Sequence, residues 1–198
     1  MSLFIETIRL EDGELKNLRF HQERFEKTRY EKLGIRKHPH LEEIIQIPGG
    51  HEKGLFKCRL IYGKDFQSIE FIPYERKKIN SLKAVISDTI NYNYKSTDRN
   101  ELEALFRLRE GCDDILIIRS GYITDSYYAN VVFWDGENWF TPHEPLLPGT
   151  MRAYLLEKGI IRERSITLRD TVRYKKVRLI NAMSDLHDAP EIPIEALK

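Results

Sequence analysis

Residues 121–142 read GYITDSYYANVVFWDGENWFTP, and the reading of that stretch decides most of the fold. The apolar runs on either side of Asp135-Gly136 predict two strands joined by a tight hairpin, because that dipeptide accepts the backbone angles such a turn demands. Just upstream, DILIIRSGYIT (114–124) predicts a strand, a Ser-Gly turn and a second strand.

Working outward, Asp98 and Glu101 have the spacing of a capping box. They open a helix with Leu102, Leu105 and Phe106 on one face, which Gly111 ends. On the other side, LLPGTMRAYLLEKG (146–159) breaks at Pro148-Gly149 and then runs as a helix to Gly159. Thr167 with Asp170 suggests a last short helix, and KVRLINA (176–182) a last strand.

The first eighty-odd residues read differently. LFIETIRL (3–10) is rich in strand formers, and a hairpin turn follows through Asp12 and Gly13. Leu18, His21 and Phe25 recur at helical spacing between a capping Asn17 and a terminating Gly34. LFKCRLIYG (55–63) and FQSIEFIPY (66–74) are two more strands around a turn at Gly63–Asp65. The order supports α+β or α/β in two unequal parts, and α+β is the expectation. The parts are an N-terminal α+β domain over 1–86, an interdomain segment over 87–95, and a larger C-terminal α/β domain over 96–198.

Composition narrows the function classes. Lys plus Arg (32) nearly balances Asp plus Glu (31), so nothing points to nucleic acid. RKHPH (36–40) and RYKKVR (173–178) read as solvated faces. The longest apolar runs are far too short to span a bilayer, and the start lacks the pattern of a signal peptide. A cytoplasmic protein without membrane attachment is expected. Cys58 and Cys112 form no CxxC pair, and His38 and His40 flank Pro39 with no acidic partner at a useful spacing, so no metal site is expected. No GxSxG elbow is present for a serine nucleophile.

What remains are positions that suit an anion and a charged ring. Gly149-Thr150-Met151 precedes a helix, whose first N–H groups and dipole attract anions. Asn181-Ala182 ends a strand and can form a second anion nest. Arg24 lies one turn beyond His21 and suits a phosphate bidentately. Asp125 is a turn former or, in a cleft, a carboxylate able to hold a ring nitrogen protonated. Each taken alone is equally a helix entry, a turn or a surface charge.

In order, these pieces resemble the class IV fold of pyridoxal-phosphate enzymes, the family of D-amino-acid and branched-chain aminotransferases and aminodeoxychorismate lyase. FIETIRLEDGELKNLRFHQER (4–24) is similar to the family's opening strand, turn and H-x-x-R helix. YKSTDR (94–99) looks like its lysine segment, and 121–142 like its acid, Asn and Thr-Pro motif. LLPGTMR (146–152) resembles the phosphate loop, and VRLINAM (177–183) the final strand.

The resemblance implies that Lys95 is the catalytic lysine, forming a Schiff base with the aldehyde of pyridoxal 5'-phosphate. It implies that Asp125 pairs with the pyridine nitrogen, where most members carry Glu. Arg24 would bind the cofactor phosphate, together with Gly149, Thr150 and Met151 and, opposite them, Asn181 and Ala182. A small-molecule amino substrate and a homodimer follow from the same likeness. The chain is shorter than typical members, in regions where they carry substrate-binding loops. GTMR and INAM lean toward a lyase making 4-aminobenzoate and pyruvate for folate synthesis. An aminotransferase for D- or branched-chain amino acids is the alternative, and a non-catalytic relative is a third. Tyr92 and Tyr94, close to Lys95, line a cofactor pocket or are simply packed, and Arg59 meets a substrate carboxylate or, preferred here, a neighbouring acid.

Overall fold

A computed structural model of the protein describes residues 2–198. The chain folds as two compact units, 1–76 with 94–98, and 77–93 with 99–198. In the first unit, strand β1 (Phe4–Glu11) turns its even-numbered side chains inward, so Phe4, Ile8 and Leu10 are buried. Asp12 (φ 50°) and Gly13 (φ 80°) make the hairpin turn to β2 (Glu14–Leu15). Helix α1 (Leu18–Leu33) and a single turn α2 (Leu41–Ile44) follow, then the antiparallel pair β3 (Leu55–Tyr62) and β4 (Phe66–Pro73). The sheet order is β2-β1-β3-β4. Phe25 and Leu41 from the helices pack on Phe4, Ile8, Cys58, Leu60 and Tyr62 from the strands. Each such fully buried large side chain contributes about 1.5–3 kcal/mol.

The second unit contains two sheets. β5 (Leu82–Ile86) lies parallel to β6 (Asp114–Arg119), which turns back into β7 (Tyr122–Ile123), and helix α3 (Asn100–Arg107) precedes β6. The larger sheet has the order β10-β9-β8-β11-β12. Its strands are β8 (Asn130–Trp134), β9 (Trp139–Pro142), β10 (Ile161–Arg164), β11 (Lys176–Ile180) and β12 (Glu191–Pro193). Helix α4 (Thr150–Glu157) connects β9 to the parallel strand β10. Leu116, Ile118, Val131, Phe133, Val177 and Leu179 form the main core. No helix of the described residues is long and apolar enough to cross a membrane.

The division expected near Ile86 falls earlier. β5 belongs to the second unit because its whole length pairs with β6, from Leu82↔Asp114 to Ile86↔Ile118. Residues 94–98 belong instead to the first unit, where the Ile5 N–H donates to the Lys95 carbonyl (2.9 Å) and the Thr97 N–H to the Leu3 carbonyl (2.9 Å).

Two helix starts also differ from expectation. Asn17 takes a left-handed conformation (φ 55°) and makes no side-chain cap. The Asp98–Glu101 box does not form, since the chain is still held along β1 at Thr97 and α3 begins only at Asn100. Glu101 accepts the Asn91 N–H instead (3.3 Å). By contrast, Thr167 and Asp170 exchange side-chain-to-backbone bonds, 3.0 Å and 3.3 Å, ahead of a 3-10 turn at Arg169–Arg173.

Candidate functional site

In the first unit a carboxylate stands among apolar side chains. Glu6 shares the inward register of β1 with Phe4 and Ile8 and is fully buried. A buried charge survives only when paired, and α1 supplies the partners one turn apart. Arg24 grips it with Nε to Oε1 (2.9 Å) and Nη2 to Oε2 (2.5 Å), and His21 Nδ1 lies 2.6 Å from Oε2. Burial pushes the Glu6 carboxyl up, but the Arg24 charge and the hydrogen bonds from His21 and Arg24 outweigh it and take it down to about 2. Glu6 is therefore ionised and accepts only, so the His21 contact is an Nδ1–H donation. Burial, opposed by Glu6, leaves the imidazole pKa below its ordinary value, with the Arg24 and Lys95 charges adding to the effect. The fork of Arg24, expected to face a phosphate, holds Glu6 in this structure.

Lys95 is half-buried, and its charge is felt at His21. Its position follows from the pairing of residues 95–97 with the start of β1. Tyr94, expected to be packed, donates its hydroxyl to Glu31 (2.7 Å), with the Lys32 ammonium 4.3 Å from its ring centroid. Arg59 pairs with Glu70 on the neighbouring strand (3.5 Å), a surface contact.

In the second unit Asp125 and Asn130 form a latch. Asp125 is buried, and its Oδ1 accepts from the Asn130 side-chain amide. The Leu146 N–H donates to Oδ2. The same Asn130 amide donates to the Leu147 carbonyl (2.9 Å), and its Oδ1 accepts the Gly149 N–H (3.1 Å). One side chain thus secures the loop that leads into α4. Asn130 also pairs with Ile180 across β8 and β11, which sets Asn181 beside this network. Asp125, Gly149, Thr150, Met151, Asn181 and Ala182 are in this way drawn together by strand register and one amide.

At the head of α4, the first helical bond runs from the Ala153 N–H to the Gly149 carbonyl (2.9 Å). The Met151 and Arg152 N–H groups precede it and point out of the helix end. The Met151 side chain is buried with Val132, Leu155, Ile161 and Ile180, so only its main chain can serve a ligand. The Asn181 side chain closes its own turn by accepting the Met183 N–H (2.8 Å).

Burial pushes the Asp125 carboxyl up to about 7, against the donors at Leu146, Asn130 and Leu147. Asp114, buried at the start of β6, is pushed up to about 6 for the same reason, while accepting the Ile115 and Tyr127 N–H groups. These folded values lie above the ordinary aspartate value of 3.8, so the folded state binds more protons. Their contribution is fully present below about pH 4 and is lost as pH rises through about 6 to 7. Thermal melts of the protein without added cofactor, between about pH 5 and about pH 8, are expected to show this loss; Asp125→Asn should flatten it and leave the Asp114 part.

Each unit by itself offers part of what a cofactor with an amine-reactive carbon, an anionic end and a basic ring would need. The first unit provides a lysine with a buried carboxylate already engaged beside it. The second provides a helix N-terminus and a carboxyl that becomes charged readily near neutral pH. Sequence reasoning missed Glu6, Asp114 and the latch role of Asn130. For Glu6 the signal was present: a glutamate in the apolar register of a strand.

The amino-transferase class IV family model matches residues 66–192. An "uncharacterized protein" of Haemophilus influenzae is 38% identical over 183 residues, 91% of this chain and 97% of that one. A crystal structure from Haemophilus somnus, named provisionally as a 4-amino-4-deoxychorismate lyase, is similar at 38% identity and a TM-score of 0.88. That match spans 94% of this chain and 98% of the other, so the short length is common to both. A Mycobacterium tuberculosis structure described as a hypothetical aminotransferase in its PLP-bound form shares the fold. It is 18% identical with a TM-score of 0.78, over 99% of this chain and 81% of that one. The two-part α+β architecture is thus that of the family, and the chain belongs to the class IV aminotransferases, a family of pyridoxal-phosphate-dependent enzymes.

Proposed function

We propose that the protein is a pyridoxal-phosphate-dependent lyase that cleaves 4-amino-4-deoxychorismate, releasing pyruvate and leaving 4-aminobenzoate. The observation that carries this reading is the near end-to-end likeness, at 38% identity, to the Haemophilus somnus protein provisionally named for that activity. GTMR at 149–152 and INAM at 180–183 support it, since aminotransferases of the family usually carry Ser or Thr at the second phosphate contact.

Lys95 would hold the cofactor through its amine, which must be neutral to attack. Glu6, on the strand that residues 95–97 lie along, is engaged by Arg24 and His21. Once released, the same amine would carry protons to and from the substrate. The Thr150–Met151 main chain and the dipole of α4 would take the phosphate, with the Asn181-Ala182 turn and Arg24 as further contacts. Asp125 would face the protonated ring nitrogen; a cation beside a carboxyl near neutrality draws it into its charged form. Bound pyridoxal phosphate supplies the electron sink for the bond being broken.

The test is to add pyridoxal phosphate, record the visible absorbance, reduce with borohydride and map the labelled peptide. A yellow protein labelled at Lys95 that forms pyruvate from aminodeoxychorismate is expected. Keto acid formed from D- or branched-chain amino acids, without pyruvate, would make the protein an aminotransferase. A colourless protein with label scattered over surface lysines would favour a non-catalytic relative.

A further inference from the structure

The chain leaves the second unit after Asn93, contributes residues 94–98 to the first, and returns at Arg99. Both ends of that excursion meet one guanidinium. Arg99 Nη1 donates to the Tyr92 hydroxyl (3.1 Å), one residue before the departure, and Nη2 to the Tyr127 carbonyl (2.6 Å). Its charged carbon lies 5.2 Å from the Tyr92 ring centroid, 4.8 Å from that of Tyr127 and 4.4 Å from that of Tyr128. Tyr127 is in turn stacked on Phe106 of α3 (4.3 Å, 17°) and fixed by its N–H to buried Asp114. Tyr127 and Tyr128 lie between Asp125 and Asn130, inside the loop whose ends form the latch.

From this arrangement we infer that Arg99 is a positioning residue for the reaction. It clamps the stretches that flank the Lys95 segment, at Tyr92 and at Arg99 itself, to the Tyr127–Tyr128 loop, and so restrains the segment that carries the lysine. The inference rests on the reading that Lys95 carries the cofactor. A planar fork is required, because two hydrogen bonds diverge from a group that also stacks on three rings; a lysine keeps the charge and loses the fork. A five-residue excursion transmits any slack at its ends directly to its centre, and misplacement of a reacting group by about 1 Å costs on the order of a hundredfold in rate.

The experiment compares wild type with Arg99→Lys and Tyr92→Phe, the latter losing the hydroxyl that accepts from Arg99. Three quantities are read: melting temperature, amide hydrogen exchange of residues 93–99, and the rate at which added pyridoxal phosphate becomes borohydride-fixed on Lys95. For Arg99→Lys, faster exchange at 93–99 is expected while β8 and β9 keep theirs, with labelling slowed about ten- to a hundredfold. A shift in the pH midpoint of the visible absorbance should accompany it. Tyr92→Phe should move the same quantities in the same direction, less far, and it decides the matter if Arg99→Lys fails to fold. Folded variants that label at the wild-type rate with an unshifted pH midpoint would overturn the role of Arg99 alone. A wild type that takes no label at Lys95 would overturn the cofactor reading and this inference with it.

Discussion

Glu6→Gln is expected to destabilise the protein by about 3–5 kcal/mol, the usual cost of removing one partner from a buried ion pair. The substitution keeps the shape and removes the charge, so the Arg24 fork loses its anion, and one of the two oxygens that Arg24 and His21 share becomes an amide donor at a fully buried position. For a chain of this length the melting temperature should fall on the order of 10 °C. The pH dependence provides a second check. Glu6 titrates at about 2 rather than 4.5, a depressed carboxylate, so its contribution is present above about pH 4.5 and is lost as pH falls toward 2. His21, also depressed, adds to the acid loss as pH falls below 6.5. Denaturant titrations at a series of acid pH values should show this slope in wild type and a shallower one in Glu6→Gln. Superimposable curves would mean that the pair contributes nothing net.

Gly149→Ala is expected to weaken pyridoxal phosphate binding by about five- to a hundredfold, the equivalent of about 1–3 kcal/mol of overpacking at the loop. The glycine is not required by its backbone angles, since φ −73° and ψ 149° suit any residue. It is required by space: a Cβ there would lie 2.1 Å from Asn130 Oδ1. Asn130 cannot simply swing aside, because its amide serves Asp125 and the Leu147 carbonyl and its oxygen accepts from Gly149 itself. Either the latch opens and leaves buried Asp125 short of a donor, or the head of α4 moves. Stability should drop by about 1–3 kcal/mol, the range for forced overpacking. A fluorescence titration with the cofactor reads the affinity. In the double variant with Asn130→Ala the clash is gone, so the two losses should be less than additive. An unchanged affinity for Gly149→Ala would show that the latch does not set the loop.

Local signals carried much of the fold. The Asp135-Gly136 hairpin and the Gly34 and Gly159 helix ends each depend on residues within a few positions, and the structure has them where the sequence predicts. Thr167 and Asp170 form their box, whereas Asp98 and Glu101 do not, although the spacing is the same. The difference is tertiary: residues 95–97 are drawn along β1, and no local pattern at 98–101 records a partner at Leu3. The placement of β5 has a related cause, since it takes its side from β6, which follows almost thirty residues later. The candidate site was legible as a list of residues through their order and their likeness to a family. Its supports were not. Asn130 acts through Leu147 and Gly149, 17 and 19 residues on, and Arg99 through Tyr127, 28 residues on, and only the folded chain brings those partners to them.

The path of the chain has a consequence for how the protein can be divided. Because residues 94–98 complete the first unit while both flanking stretches complete the second, three crossings of the backbone join them. Neither unit is one continuous fragment. A truncation ending at Arg76 would strip β1 of the segment that covers Leu3–Ile5, leaving open backbone donors and acceptors on a strand edge, the kind of surface on which chains aggregate. A fragment beginning at Lys77 would carry Lys95 on a loop with no strand to lie against. The lysine thus belongs to the first unit in a segment flanked on both sides by the second, and a single break cannot yield two whole units, so any split or fusion of this enzyme must respect the seam at 94–98.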